Sequence, residues 1–290
     1  MLFNIYVADL PSAIKNSTLV QYADDCTLYK EVVVEDADSV DEMQEDLENV
    51  AIWCANNGMT LNARKCKIMD LSRAHAPFTP PYTIGGAPLE YVSTERFLGL
   101  HVSRDLRWNV HVDIIRSKAA QILGFTARTL SGCTPRVKRT AYLTLVKPIM
   151  LYGTPAWAPG TKENLGKLER LQRRALHSIH GKRLPPPERQ NMMPIDMQLR
   201  YTDLNFFKKC LCGKTDFDPM ARITHGRTLR GDDGAHPRLQ PPPARCELGR
   251  RTFSYRICKP WNDLPAALKD CSAQNFPALL KAQLWRDFKV

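Results

Sequence analysis

No stretch of the 290-residue sequence is apolar over the roughly 20 residues that a helix needs to cross a membrane. The N-terminus also lacks a signal-peptide pattern, because Met1-Leu-Phe is soon followed by Asn4, Asp9 and Pro11. The nine cysteines are scattered and odd in number, which argues against a disulfide framework. These absences predict an intracellular protein with reduced cysteines and no membrane partner.

The charge of the chain is divided unequally along its length. Residues 1–100 contain 7 Lys and Arg and 15 Asp and Glu, a net charge of −8, whereas residues 101–290 contain 34 and 15, a net charge of +19. An acidic half joined to a basic half is typical of a protein that holds a polyanion beside a metal ion. The alternative is that the charges serve only solubility.

Two adjacent carboxylates near the start of the chain are the most informative feature. Leu19 to Tyr22 and Cys26 to Tyr29 are short runs of strand-forming residues that flank Asp24-Asp25. Aspartate is a poor strand residue and suits a tight turn, so the pattern predicts a β-hairpin with a carboxylate tip. Adjacent carboxylates repel unless a cation intervenes, and Mg²⁺ is the oxygen-bound ion that also carries substrate phosphates. A polar surface hairpin is the simpler alternative.

Four segments in a fixed order resemble a known family. Tyr22-Ala23-Asp24-Asp25, here a YADD motif, is similar to the Y-x-D-D signature of reverse transcriptases. Leu2–Pro11 is similar to the helix before the catalytic hairpin, and Leu61–Met69 to the lysine-bearing segment after it. Arg96–Val102 is similar to the strand pair that grips the primer end. The resemblance is to the polymerases of non-LTR (LINE-like) retrotransposons.

The resemblance assigns roles to residues of the acidic half. It implies that Asp24 and Asp25 are catalytic and hold Mg²⁺, and that Tyr22 lies under the primer end. It also implies that Lys65 neutralises or protonates the leaving pyrophosphate, a role for which Lys67 competes. Without the resemblance, Lys65 would be interpreted as an ordinary exposed lysine.

The resemblance also implies an activity and partners. It predicts RNA-directed DNA polymerisation, a nucleotidyl transfer to a DNA primer on an RNA template that uses deoxynucleoside triphosphates. A third metal-binding aspartate and the fingers should precede the hairpin, and Asp9, next to Pro11 at a helix end, is a poor substitute. We therefore expect a fragment that is inactive alone, with a possible partner chain supplying the fingers. The alternatives are a non-catalytic nucleic-acid-binding remnant and a product without a cellular role.

The predicted fold class is α+β, with residues 1–103 as part of a polymerase palm. Ser39-Val-Asp-Glu42 is a capping-box pattern and predicts the start of a helix whose acidic side is solvated. That helix should cover a small antiparallel sheet containing a hairpin at Gly85-Gly86 and a strand from Phe97 to Val102.

Residues 104–183 are predicted to form a helical thumb-like region. The first helix should bury a face of Ile114, Ile115, Ala119, Ile122 and Leu123, and the third should span Lys162 to His180. Basic side chains on such helices suit a phosphate backbone, although plain surface is the alternative. The predicted primer and nucleic-acid contacts beyond Tyr22 are Phe97, Leu98, Gly99, Arg136, Lys138, Arg139, Arg170, Arg173 and Arg174.

The remainder divides at residue 250. Residues 184–250 are predicted to hold a helix from Ile195 to Leu211 followed by a linker rich in Pro, Gly and Arg. Residues 251–290 resemble the segment beyond the thumb of LINE-like polymerases, with Trp261 and Trp285 expected in a core. Zinc binding is disfavoured because the spacing of the candidate ligands departs from zinc-finger patterns, these ligands being Cys210, Cys212, His225, His236 and Cys246.

Overall fold

The computed structural model describes residues 2–33, 36–72, 78–185, 192–226 and 237–288. The chain divides into two compact units. The first unit comprises residues 1–96 and 103–105, and the second comprises residues 97–102 and 106–290. Both helices and short strands are present, so the prediction of a mixed α and β protein is confirmed. Within the described ranges, every helix is too short or too polar to span a bilayer.

The first unit holds most of the strands. Its helices are α1 (Leu2–Tyr6) and α2 (Ala37–Asn56), with a 3₁₀ turn at Leu10–Ala13 between them. Its short strands, of which the last continues into the second unit, are β1 (Thr18–Tyr22), β2 (Asp25–Tyr29), β3 (Lys67–Ile68), β4 (Thr83–Ile84), β5 (Ala87–Pro88), β6 (Glu90–Tyr91) and β7 (Thr94–Phe97).

The strands of the first unit pair two by two. β1 with β2 and β4 with β5 are antiparallel hairpins, as predicted, whereas β3 pairs with β6 in parallel. A parallel pair needs a long connection, and the segment between Ile68 and Glu90 supplies one. Gly85 and Gly86 form the predicted turn and have φ values of 55° and 78°, which glycine adopts without steric cost.

Helix α2 begins earlier than the capping-box pattern indicated. Asp36 caps the helix, and its side chain accepts a hydrogen bond from the Asp38 N–H at 3.2 Å. Ser39 is instead buried, where its hydroxyl accepts a hydrogen bond from the Val33 N–H. The capping-box prediction was wrong because Ser39 bonds to the preceding loop rather than to its own helix.

The core of the first unit lies between α2 and the segments around it. It contains Val7, Leu10, Leu47, Val50, Trp53, Cys54, Tyr82 and Ile84. Asp46 is also fully buried, so the prediction of a wholly solvated acidic side for α2 was wrong. Its carboxylate accepts hydrogen bonds from the backbone N–H groups of Lys15 and Asn16, both at 2.9 Å, and thereby fixes the loop that leads into β1.

The second unit is mainly helical. Its first elements are β8 (Leu100–Ser103, which ends in the first unit), α3 (Asn109–Thr129), α4 (Pro135–Ala141), a π-helical segment (Tyr142–Val146), α5 (Lys147–Leu151), α6 (Thr154–Trp157), α7 (Lys162–His180) and α8 (Ile195–Leu211). The remaining elements are a 3₁₀ turn (Pro219–Ala221), β9 (Thr224–His225), β10 (Leu239–Gln240), α9 (Glu247–Arg251), α10 (Phe253–Arg256), α11 (Cys258–Asn262), α12 (Ala266–Asp270) and α13 (Phe276–Phe288). Helices α7 and α8 have the bounds that the sequence predicted.

Two hydrophobic clusters stabilise the second unit. One joins α3, the π-helical segment and α7, and includes Ile115, Ala119, Leu123 and Leu168. Ile114, predicted for the same face, is 39% exposed, because the buried face of α3 turns toward His111 and Val112 instead.

The second cluster shows that part of the predicted linker is packed. It joins α8 to the C-terminal helices, and it buries Trp261 and partly buries Trp285, as predicted. Ile223 and Leu239, from the segment predicted to be a linker, are 3% and 7% exposed and belong to this core. The middle of that segment, including His236 of the disfavoured zinc site, lies outside the described residues.

A buried ion pair connects α8 to α10. Arg256 Nε donates to Asp203 Oδ2 at 2.8 Å, and a second guanidinium nitrogen donates to the backbone carbonyl oxygen of Pro155 at 2.6 Å. The two side chains are only 18% and 12% exposed. One guanidinium group therefore links three helices of the second unit.

Candidate catalytic and nucleic-acid site

The predicted acidic hairpin forms, with its turn shifted by one residue. Tyr22 pairs with Asp25 at the end of the antiparallel ladder, so Ala23 and Asp24 form a two-residue loop and Asp25 begins β2. Ala23 has a φ of 54°, a conformation for which glycine is the usual residue in such loops. Both aspartates are exposed, and Tyr22 is 66% exposed.

The base of the hairpin is held by buried groups. Leu19 and Leu28, which face each other across the ladder, pack against the core of the first unit. Burial raises the pKa of Asp46, but hydrogen bonds from the N–H groups of Lys15 and Asn16 outweigh this effect and leave the pKa lowered. Asp46 therefore stays ionised and continues to accept the hydrogen bonds that fix the loop before β1.

The donor set at the tip fits a hydrated divalent cation. Mg²⁺ usually keeps several waters and takes one or two carboxylates together with substrate phosphates, and Asp24 and Asp25 are two exposed carboxylates on neighbouring residues. In the described part of the chain, no cluster of three or more Asp, Glu, His or Cys side chains is arranged to hold a metal. The tip therefore offers two of the three carboxylates that the sequence resemblance predicts.

The two candidate lysines differ in their surroundings. Lys67 lies opposite Glu90 in the β3–β6 pair, and its ammonium group forms an ion pair with the Glu90 carboxylate. Lys65 is exposed on the loop before β3, and we find no ion pair for it with any described residue. Of the two candidate lysines, Lys65 is therefore the one whose charge is not balanced by an ion pair with a described residue.

The predicted primer-contacting residues Phe97, Leu98 and Gly99 form a tight turn. The strand expected from Phe97 to Val102 is interrupted there, because Leu98 and Gly99 have φ values of 45° and 86°. Positive φ values are incompatible with a continuous strand. The prediction of one unbroken strand was wrong, and the three residues are half-buried at the turn.

Tyr152 supports this turn, and the sequence analysis did not single it out. Its hydroxyl donates to the backbone carbonyl oxygen of Leu98 at 3.1 Å. A Cβ atom added to Gly99 would lie 3.2 Å from Cε1 of the Tyr152 ring, so the ring is packed against the turn. Trp157 Nε1 donates in turn to the Tyr152 carbonyl oxygen at 2.7 Å. The sequence carried no signal for this role of Tyr152.

A buried histidine fixes the strand that follows the turn. His111 Nδ1 accepts a hydrogen bond from the His101 backbone N–H at 3.2 Å, and its ring meets Trp157 edge-on at 4.7 Å between centroids. Burial, helped by the charge of His101, lowers the pKa of His111 to about 4. His111 is therefore neutral at physiological pH, and its free electron pair is available to the His101 N–H.

The predicted basic residues lie on two helices of the second unit. On α4, Arg136 is exposed, whereas Lys138 and Arg139 are half-buried. On α7, Arg170 and Arg174 line an open groove of about 310 Å³ between α3 and α7, and Arg173 does not. The sequence predicted all three arginines together because their spacing places them on one charged flank. Spacing alone does not show which part of that flank meets α3, and Arg173 lies outside the groove lining.

The same groove contains charged residues that the sequence analysis did not assign to a site. Lys167 and Arg116 line it, together with Asp113. Lys167 Nζ lies 2.9 Å from Asp113 Oδ1, and Arg116 Nε lies 3.8 Å from the same oxygen. The hydrogen bond to Asp113 raises the pKa of Lys167. The spacing of Lys167, Arg170 and Arg174 could have indicated one face, but the contribution of α3 required the tertiary structure.

Comparison with known protein families gives a match over the region that contains the acidic hairpin. The family model described as reverse transcriptase (RNA-dependent DNA polymerase) matches residues 1–126, a range that contains the hairpin, Lys65 and the Phe97–Gly99 turn. Residues 1–126 of the chain are therefore similar to reverse transcriptases. No solved structure matches the chain.

The curated relatives that the chain matches are proteins of mobile elements. It is 28% identical over 194 residues to a probable RNA-directed DNA polymerase from transposon BS of Drosophila melanogaster, covering 62% of this chain and 21% of the relative. It is 34% identical over 125 residues to a putative 115 kDa protein in the type-1 retrotransposable element R1DM of the same species, covering 42% and 12%. It is 24% identical over 195 residues to the RNA-directed DNA polymerase from mobile element jockey, covering 62% and 20%.

These matches confirm the predicted kinship with LINE-like polymerases. The chain spans about a fifth or less of the length of these relatives.

Proposed function

We propose that this chain contributes the catalytic hairpin and part of the nucleic-acid-binding surface of an RNA-directed DNA polymerase. The observation that carries the proposal is the exposed Asp24–Asp25 tip inside the region that matches reverse transcriptases. The substrates would be an RNA template, a DNA primer and deoxynucleoside triphosphates. The reaction is attack of the primer 3′-oxygen on the α-phosphorus of the nucleotide, with pyrophosphate leaving.

The acidic tip would bind the metal ions of this reaction. Asp24 and Asp25 would hold Mg²⁺, which when bound lowers the pKa of the attacking hydroxyl and neutralises charge on the phosphates. The exposed aromatic ring of Tyr22, opposite Asp25, would lie under the primer end. Lys65 would place its ammonium group against the departing pyrophosphate, since it has no ion pair among the described residues.

The basic helices would hold the template–primer duplex. We assign residues 1–103 to a partial palm, 104–183 to a thumb-like region, 184–250 to a helix with a linker, and 251–290 to a C-terminal segment. In this assignment the Phe97–Leu98–Gly99 turn contacts the primer. The contacts to phosphates come from Arg136, Lys138 and Arg139 of α4 and from Arg170 and Arg174 of α7. Arg173, which does not line the α3–α7 groove, is assigned no contact.

We further propose that the 290 residues do not polymerise on their own. A two-metal site needs three carboxylates in this family, and the described residues bring no third one to Asp24 and Asp25. A partner chain that supplies this carboxylate and the fingers would complete the site.

The metal site can be tested separately from activity. Mn²⁺, followed by its electron paramagnetic resonance signal, should bind to the wild-type chain and lose a site in Asp24→Asn/Asp25→Asn. The control is Asp38→Asn, which changes an exposed aspartate on α2. Equal Mn²⁺ binding by all three proteins would contradict the proposed metal site. Primer extension on an RNA template should give no product with the chain alone, and Asp24-dependent synthesis would disprove the inactivity.

A non-catalytic nucleic-acid-binding protein is the second candidate. The observation that favours it is the contrast between a two-carboxylate tip and a strongly basic remainder, with a net charge of +19 over residues 101–290. It predicts RNA binding that falls steeply with salt and does not change in Asp24→Asn. Mn²⁺ binding at Asp24 and Asp25 would argue against it.

A further inference from the structure

The charges in the α3–α7 groove are unbalanced along its length. Four cationic side chains and one carboxylate line it, and that carboxylate, Asp113, lies against Lys167 and Arg116. Lys167 also lies 3.5 Å from Glu163. Within the described ranges, Arg170 and Arg174 form no ion pair. One end of the groove is therefore neutralised from inside the protein, whereas the other end presents two exposed guanidinium groups.

We propose that the α3–α7 groove binds the phosphodiester backbone of a nucleic-acid duplex through Arg170 and Arg174, and that Asp113 weakens this binding by holding Arg116 and Lys167. The inference rests on the proposed function for the class of ligand. It adds a defined site and an internal carboxylate that competes with the ligand for two of the four cations.

The dimensions and lining of the groove favour a backbone ligand. From Lys167 to Arg174 the helix rises about 10 Å, and each strand of a duplex carries a phosphate about every 3.4 Å of its axis. Guanidinium groups match the geometry of phosphate oxygens with paired donors. The uncharged residues that line the groove are Ala120 and Leu171, neither of which offers an aromatic ring for base stacking. Binding should therefore be independent of base sequence.

Helix α7 provides a matched control for this proposal. Arg173 is exposed, belongs to the same helix turn and carries the same charge, but it does not line the groove. Binding of a fluorescent RNA–DNA duplex to the full chain should be measured by anisotropy over a series of salt concentrations. The proteins to compare are the wild type, Arg170→Gln/Arg174→Gln, Arg173→Gln and Asp113→Asn. Circular dichroism should verify that each variant keeps the helix content of the wild type.

The proposal predicts opposite effects at the two ends of the groove. Each arginine that contacts a phosphate should contribute about 0.9 to the slope of log K against log salt, so the double variant should lose about 1.8. Its affinity near 0.1 M salt should fall by roughly tenfold for each arginine lost. Arg173→Gln should retain most of the wild-type slope, and Asp113→Asn should bind several-fold more tightly.

Three results would overturn the proposal, and they are distinguishable from failure of the proposed function. An equal loss in Arg173→Gln and the double variant would show a diffuse charge effect without a groove site. Weaker binding by Asp113→Asn would disprove the competing carboxylate. Tighter binding of tripolyphosphate than of duplex, lost in the double variant, would assign the groove to a small polyanion. Absence of duplex binding by the wild type would contradict the proposed function as well.

Discussion

The Tyr152 hydroxyl donates a hydrogen bond to the Leu98 carbonyl oxygen at 3.1 Å across 54 positions of sequence. Leu98 has a positive φ of 45°, which is uncommon for a branched side chain. The turn that we assign to primer contact is therefore held in a strained conformation by a residue from a later part of the chain. Contacts of this kind stabilise strained backbone at functional sites.

Removing the Tyr152 hydroxyl should loosen the turn while the aromatic ring still packs against it. Tyr152→Phe keeps the ring against Gly99 and loses one hydrogen bond, which contributes about 1 kcal/mol to the free energy of unfolding. We expect weaker binding of an RNA–DNA primer–template by the full chain, measured by anisotropy, and a small loss of stability in urea. Tyr29→Phe, at an exposed tyrosine of the first unit, is the control. Equal affinity of the two variants would contradict a positioning role for Tyr152.

A side chain at Gly99 should destabilise the same turn. Gly99→Ala forces an alanine to a φ of 86° and brings its Cβ to 3.2 Å from the Tyr152 ring. The left-handed conformation alone costs about 1–2 kcal/mol for a residue with a Cβ. Gly132 is the control, because a Cβ there meets no atom within 4 Å and its φ is not in the left-handed range. Urea unfolding should show a lower stability for Gly99→Ala than for Gly132→Ala, and equal midpoints would contradict the strain.

His111 should make the second unit sensitive to acid. Its pKa is lowered from 6.5 to about 4 in the folded protein, so the unfolded chain binds more protons between these values. Stability should therefore rise with pH from about 4 to 6.5 and be lost on acidification, by up to about 3 kcal/mol for the full shift. The measurement is urea unfolding across this pH range for the wild type and His111→Phe, in which this proton uptake is absent. Parallel stability curves for the two proteins would show that His111 does not contribute.

The buried ion pair between Asp203 and Arg256 should be far more important for stability than an exposed one. Arg256→Met leaves the Asp203 carboxylate buried without its partner, and such a loss typically costs about 3–5 kcal/mol. Arg200, whose guanidinium lies 3.7 Å from Asp263 on the surface, provides the comparison. Arg200→Met should cost less than about 1 kcal/mol. The measurement is the free energy of unfolding of each variant relative to the wild type. Similar losses for Arg256→Met and Arg200→Met would be inconsistent with a structural role for Arg256.

Local sequence patterns predicted the elements that local physics determines. Helices α7 and α8 have the predicted bounds because apolar spacing defines one buried face in each. The acidic hairpin was placed to within one residue because strand-forming runs flank Asp24 and Asp25. The family kinship followed from four segments in order, and the comparisons confirm it. The assigned roles of the site residues stay predictions.

What the sequence did not reveal depends on contacts between distant segments. Ser39 matched a capping pattern, but tertiary contacts directed its hydroxyl to Val33. Arg173 could not be separated from Arg170 without knowing which face of α7 meets α3. Tyr152 gave no signal as a supporting residue, because its role requires the positive φ values of Leu98 and Gly99, which appear only in the folded chain.

The path of the chain between the two units has a practical consequence. It passes from one unit to the other at three places, after residues 96, 102 and 105. A protein shortened to the region before α3 would still contain the letters Phe97-Leu98-Gly99, yet it would lack the tyrosine, the tryptophan and the histidine that hold that loop and the strand after it in shape. Dissecting this molecule by deletion would thus remove a scaffold while leaving its motif in place, and a negative result from such a piece would say nothing about the motif.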